Sequence, residues 1–190
     1  MDKDKKLEKR GIFSTQAAIA AGISQPTLSR LVKAGKLIRL EHGLFQHPEA
    51  KIDPSELDFA IACAKLGKES VIGGLSALYR YGLVSQVPDQ IWILVPAFVK
   101  SNNPLYRCVR TKQNLTLGVI NYRLYRITNI ERTLIEALKY STKIGASLAV
   151  GAVRKAVEEG KTTEKKLHEM AKQLGAETVF SKYWEVIVTI

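Results

Sequence analysis

Between Ser14 and Pro48 the chain reads STQAAIAAGISQPTLSRLVKAGKLIRLEHGLFQHP, and this stretch restricts the possible folds more than any other. It holds two short helical patterns separated by a glycine, then two short apolar runs around a turn. Ser14 is placed to cap the first helix, because its hydroxyl can accept from the free N–H groups of the opening turn. Ala17, Ala18, Ala20 and Ala21 leave room for another helix to pack closely. Gly22 tolerates the positive φ at which a helix stops. Ser24 is the next expected cap, and Pro26 falls in the first turn, where its missing N–H costs little.

Leu28, Leu31 and Val32 follow at helical spacing and form one apolar stripe. Gln25, Thr27, Ser29, Arg30 and Lys33 fall mostly off that stripe and give a polar, basic face without an acid. Gly35 ends the helix. Lys36 to Gln46 then presents two apolar runs around Glu41-His42-Gly43, the pattern of a hairpin, with Lys36, Arg39 and His42 on it. Two helices and a basic hairpin in this order read as a winged helix-turn-helix. The major groove of DNA admits a helix, and Gln, Ser, Thr, Arg and Lys can hydrogen-bond base edges there. Phosphates are held by basic side chains and by helix N-termini, where Ser14, Thr15 and Ser24 are expected. The expected DNA-contacting set is Ser14, Thr15, Ser24, Gln25, Thr27, Ser29, Arg30, Lys33, Lys36, Arg39 and His42. The same residues also fit a small helical module that binds protein and leaves its basic face in water.

Charge supports a polyanionic or acidic partner. The net charge is +11 and the pI about 9.7. The excess is uneven: residues 1–50 carry nine basic and five acidic residues, and residues 98–143 carry nine and two. No Asp or Glu occurs between Asp89 and Glu131. With 46% hydrophobic residues over 190 positions the chain can build a packed core, as one large domain or two small ones. Cys63 and Cys108 are too few for a disulfide scaffold and read as buried thiols in a reducing compartment. MDKDKKLEKR lacks the apolar core of a signal peptide, and the longest apolar run, Ile91 to Val99, is too short to span a bilayer. The expectation is a soluble cytoplasmic protein with no membrane contact.

Along the chain, residues 2–10 with Leu7, Ile12 and Phe13 are expected to form the first helix of the winged module. Pro48 and Pro54 bracket a linker, which places the domain boundary after residue 48. Asp53 caps a helix with Pro54 at its first position and Glu56 at its third. Leu57, Ala60, Ile61 and Ala64 give its buried face, and Gly67 ends it. Gly73-Gly74 lacks the spacing of any phosphate loop and reads as a place where backbone meets a neighbour closely. Gln90–Val95, 106–110 and 118–127 are the expected strands of one small sheet. Thr128 is the expected cap of a helix with Glu131 three residues on and Leu134, Ile135 and Leu138 in its core stripe. Three further helices follow at about 144–159, 163–174 and 177–188, and the last has an apolar face that fits a core or a docking surface. The fold class is α+β: an N-terminal winged helix-turn-helix domain (1–48), then a mixed α/β C-terminal domain (49–190) with a small sheet and several helices.

No catalytic pattern emerges. His42, His47 and His168 are far apart and lack metal-ligand spacing. Glu164-Lys165-Lys166 has the form of a nuclease fragment but lies on a charge-rich helix without a nearby Asp, so it reads as a solvated face. No enzyme, metal or cofactor is expected. The block Lys100, Arg107, Arg110, Lys112, Arg123 and Arg126, interleaved with Tyr106, Tyr122 and Tyr125, forms a possible second basic surface. On a strand, Arg123 and Tyr125 would share one face and Tyr122 and Arg126 the other. This surface fits an extended DNA contact or an acidic protein partner.

Three stretches carry a family resemblance. GIFSTQAAIAAGISQPTLSRLVKAGKLIRLEHGLFQHP (11–48), GGLSALYRYGLVSQVPDQIWILVP (73–96) and ITNIERTLIEALKY (127–140) together resemble the AbiEi antitoxins of type IV toxin–antitoxin and abortive-infection systems. The resemblance implies an N-terminal domain that binds inverted repeats in its own promoter and represses it. It implies a C-terminal antitoxin domain and a partner gene for a nucleotidyltransferase-like toxin, which the antitoxin need not hold in a tight complex. The alternative from the residues alone is a protein-interaction module that uses 98–126 to bind an acidic partner without reading DNA sequence.

Overall fold

The structure is a computed structural model in which residues 11–188 are described. The expected helix at 2–10 lies outside the described residues. Ile12 and Phe13, assigned to that helix, instead belong to strand β1 (Ile12–Ser14). β1 leads into α1 (Thr15–Ala20) and α2 (Gln25–Lys33), and then into the hairpin β2 (Ile38–Glu41) and β3 (Leu44–Gln46). The hairpin strands pair antiparallel, and β1 adds to β3 to give the order β1-β3-β2. Sequence periodicity could not place β1, because three residues carry no period. The two apolar side chains Ile12 and Phe13 are drawn to the hairpin, where Phe13 pairs with Phe45.

Among the described residues, the first compact unit comprises Gly11 to Lys68 together with Arg123–Tyr125. It is longer than the expected 1–48 segment because the residues after Pro48 are packed into it. His47 N–H donates to the Gly11 carbonyl, Ala50 is buried, and the Lys51 carbonyl accepts from Arg123. Helix α3 (Pro54–Leu66) begins at Asp53, whose carboxylate accepts from Ser55 N–H at 2.9 Å. Ala60 packs with Ile12 and Leu44, joined by Leu57, Ile61, Ala64 and Leu124, so the expected buried face is the one that is used.

The second unit comprises Glu69–Tyr122 and Arg126 onward. Its strands are β4 (Val71–Ile72), β5 (Ile91–Pro96), β6 (Tyr106–Thr111), β7 (Val119–Asn121) and β8 (Arg126–Thr128), in the order β6-β5-β4-β8-β7. β5 and β6 run parallel, β4 is antiparallel to β5, and β7–β8 is an antiparallel hairpin. The single strand expected over 118–127 is therefore two strands with a turn, and the face assignment for Tyr122, Arg123, Tyr125 and Arg126 falls with it. Tyr125 is buried, donates to Glu56 at 3.1 Å and sits edge-on to Phe59, all within the first unit.

Helix α4 (Gly74–Arg80) explains the glycine pair. A Cβ on Gly73 would lie 2.1 Å from Leu94 Cδ1, and one on Gly74, which has φ +52°, would lie 2.6 Å from the Trp92 ring. The expected close approach is what the backbone makes. Ser76 adds to it, its hydroxyl accepting the Trp92 N–H at 2.9 Å. Gly74→Ala should cost about 2–4 kcal/mol, from left-handed backbone strain plus overpacking on an indole. A lower denaturant midpoint at unchanged slope checks this; a change within measurement error refutes it.

The remaining helices are α5 (Ile130–Lys139), α6 (Ser141–Ile144), α7 (Ala146–Glu158), α8 (Glu164–Gln173) and α9 (Glu177–Val188). α5 is capped by Asn129, which accepts from Arg132 N–H at 2.9 Å, and not by Thr128. Thr128 ends β8, and its hydroxyl meets that of Thr133 at 2.6 Å. Leu134, Ile135 and Leu138 are buried in the main core with Val153, Leu167, Phe180 and Ile187. Val179, Tyr183 and Trp184 pack against the same core, so the apolar face of α9 is a core face. Cys63 is buried, whereas Cys108 is only half-buried, on β6. Burial pushes the Cys108 thiol upward against the opposing pull of Arg110.

Candidate nucleic-acid interface

The helix pair stands on a small closed core. Phe13, Ala18, Ile23, Leu28, Leu37 and Phe45 are buried together, with Ala17, Leu31 and Val32 against them. Ser14 Oγ accepts from Ala17 N–H at 3.2 Å, and Gly22 takes φ +81° to turn the chain between α1 and α2. Ser24 stands at the N-cap of α2 with extended backbone, but its hydroxyl pairs with that of Thr27 at 2.9 Å instead of a helix N–H. Leu28 is turned fully inward, which leaves Gln25, Ser29, Arg30 and Lys33 exposed. At 3.6 residues per turn, Arg30 and Lys33 lie farthest from the buried stripe, while Gln25 and Ser29 flank them on one side.

The hairpin is fixed against the helices. Thr15 donates to the Gly43 carbonyl through both its N–H, at 2.9 Å, and its hydroxyl, at 3.3 Å. Gly43 makes the turn at φ +73°. Arg39 Nε donates to the Glu41 carbonyl, and Arg39 Nη2 lies 3.1 Å from His42 Nδ1. One groove results, with a volume of about 270 Å³, lined by Thr15, Gln25, Ser29, Lys33, Arg39 and His42 over a floor of Leu28, Val32 and Phe45. These six residues come from the expected set. Arg30 and Lys36 are exposed outside the groove, and Ser14, Ser24 and Thr27 also lie off it.

The groove is electropositive by composition, since none of its lining residues carries a carboxylate. Glu41, the acid on the hairpin, is ion-paired with Lys65 of α3. Lys65 was missed by sequence reasoning because it stands 24 positions away, and only packing of α3 on the hairpin sheet brings it there.

The residues of the second basic block are divided between the two units, Arg123 in the first and the others in the second, where Lys112 and Arg126 line one groove. Arg123 donates to the Lys51 carbonyl in the first unit. Arg126 is held by Asn121, the Glu69 carbonyl and the Leu115 carbonyl. Lys100, Arg107, Arg110 and Lys112 remain exposed at and beside β6.

The two helices and the three-stranded hairpin sheet define a winged helix-turn-helix unit. Residues 5–48 match the model of a family described as "Transcriptional regulator, AbiEi antitoxin", the family that the sequence motifs resemble. Among curated proteins, none matches the chain. Among the described residues no three His, Cys, Asp or Glu side chains are grouped to hold a metal, and no helix is long and apolar enough to cross a membrane.

Proposed function

We propose that the chain is a DNA-binding transcriptional regulator that represses its own promoter through inverted repeats and acts as the antitoxin to a nucleotidyltransferase-like toxin. One observation carries the DNA-binding reading: the carboxylate-free groove between α2 and the hairpin, in a segment that matches a regulator family. Gln25, Thr27, Ser29, Arg30 and Lys33 enter the major groove, and α2, about 13 Å long, spans a few base pairs there. Lys36, Arg39 and His42 grip the backbone or minor groove beside it, and the helix N-termini at Ser14, Thr15 and Ser24 face phosphates. Each half of an inverted repeat takes one copy of the winged unit. The antitoxin role belongs to the remainder of the chain, as the family description and the resemblance suggest; the protein works as a regulator in the cytoplasm and not as an enzyme.

The test is a gel-shift titration with the gene's own upstream region and a shuffled control, repeated across salt concentrations. The upstream region should bind more tightly, and log K should fall against log salt with a slope of about −4 or steeper, since each phosphate neutralised contributes about −0.9. Equal affinity for both DNAs at every salt concentration refutes the reading. Restored growth when the chain is co-expressed with the product of the neighbouring toxin gene tests the antitoxin half separately.

A further inference from the structure

β6 is an end strand of its sheet, with β5 as its one strand partner among the described residues. Residues of β6 share a groove of about 510 Å³ with Val99, Lys100, Ser101 and Asn102 of the connection between β5 and β6. Lys100, Asn102, Arg107, Cys108 and Arg110 line this groove, and Lys112 follows at the strand's end. None of the four cations has a carboxylate partner among the described residues. The Arg107 guanidinium lies over the buried Trp92 ring, 4.5 Å from its centroid, so it is held in place with its donors at the surface.

Tyr106 N–H is bonded to the Asn103 carbonyl; beyond it, the edge from Arg107 to Thr111 offers backbone donors and acceptors at alternate residues that an extended chain can match. We propose that an acidic segment of a partner protein docks here as an added strand along β6. Arg107 and Arg110 are three residues apart and so stand on opposite faces of the strand; the segment they fit carries two acids at the same spacing. Charge excludes a second copy of β6, which would set these arginines against themselves. Nucleic acid fits less well, because the ring that lines the groove, Tyr106, is buried, and Arg107 lies over the buried Trp92 ring beside it, so neither offers a face for a base to stack on.

The test uses the full chain and a fluorescent peptide of valine and threonine with two glutamates three positions apart. Fluorescence anisotropy should show binding roughly tenfold or more tighter than for the same peptide with glutamines, a gap of about 1.4 kcal/mol. Methylating alternate backbone nitrogens of the glutamate peptide should abolish binding, as a ladder requires. Arg107→Glu with Arg110→Glu should reverse the preference toward a lysine peptide. Because these residues lie outside the winged unit, that variant should still shift the upstream DNA, which separates this outcome from the DNA-binding reading, and its gain of lysine-peptide binding shows that the second unit is folded. Equal binding of glutamate and glutamine peptides, or undiminished binding of the methylated peptide, overturns the proposal. So does a single-stranded RNA that binds at this edge more tightly than the peptide and loses affinity in the double variant.

Discussion

Replacing Glu136 with leucine is expected to cost about 3–5 kcal/mol, because it strands a buried guanidinium. Arg132 is fully buried on α5, and its Nε donates to Glu136 Oε1 at 3.0 Å one helical turn away. Its Nη1 reaches the carbonyls of Asn114 and Leu117, while Nη2 has no partner among the described residues. Arginine cannot shed its charge, so the loss of Glu136 leaves a cation in the core. Arg132→Met should cost less, because a carboxyl can protonate. Burial already pushes the Glu136 carboxyl upward, and Arg132 is the main influence pulling it back. Without Arg132 the folded state binds that proton more tightly than the unfolded chain. The stability of Arg132→Met should then be highest below the ordinary carboxyl range and decline as pH rises toward the raised folded value. The double variant with both apolar residues should recover most of the loss. Denaturant unfolding of the two single variants and the double variant at several pH values checks all three statements. A Glu136→Leu protein as stable as the parent would refute the first.

The second large effect falls on DNA affinity. Lys33 is exposed on the outer face of α2 and also lines the groove against the hairpin. Lys33→Glu should weaken binding to the upstream region roughly a hundredfold or more, since a like charge against phosphate costs several kcal/mol. Arg30→Ala should lower affinity less, by about 1–3 kcal/mol, and lose more on the specific site than on shuffled DNA, because a base contact carries discrimination. Gel-shift titrations with both DNAs separate the two effects. Unchanged affinity in both variants would remove α2 from the interface.

Local signals were legible in the sequence because each acts within a few residues. Ser14 caps, Gly22 and Gly43 turn, and Asp53 with Pro54 starts a helix, as the residue types require. Less legible were features decided by distant partners. GVINYRLYRI contains no internal Gly or Pro, so nothing local announces the turn at 122–125; Tyr125 and Arg123 bend the chain there by bonding to Glu56 and Lys51. Thr128 and Asn129 are both good caps, and the choice falls to Asn129 because Thr128 is needed in the strand that pairs with β7. In the candidate interface, the residue types on α2 were readable, but their division between the groove and the outer face depends on the rotation of α2 about Leu28 and on where the hairpin docks.

The two bonds from Thr15 to the Gly43 carbonyl join the tip of the hairpin to the first turn of α1. On the proposed DNA-binding reading, this unit would act as a fixed caliper, with the gap between its two jaws set before any duplex arrives. A rigid gauge of this kind pays little ordering entropy on docking, and it leaves adjustment to the double helix. Duplexes that twist or narrow easily between the two contacts should then be favoured at base pairs that no side chain touches.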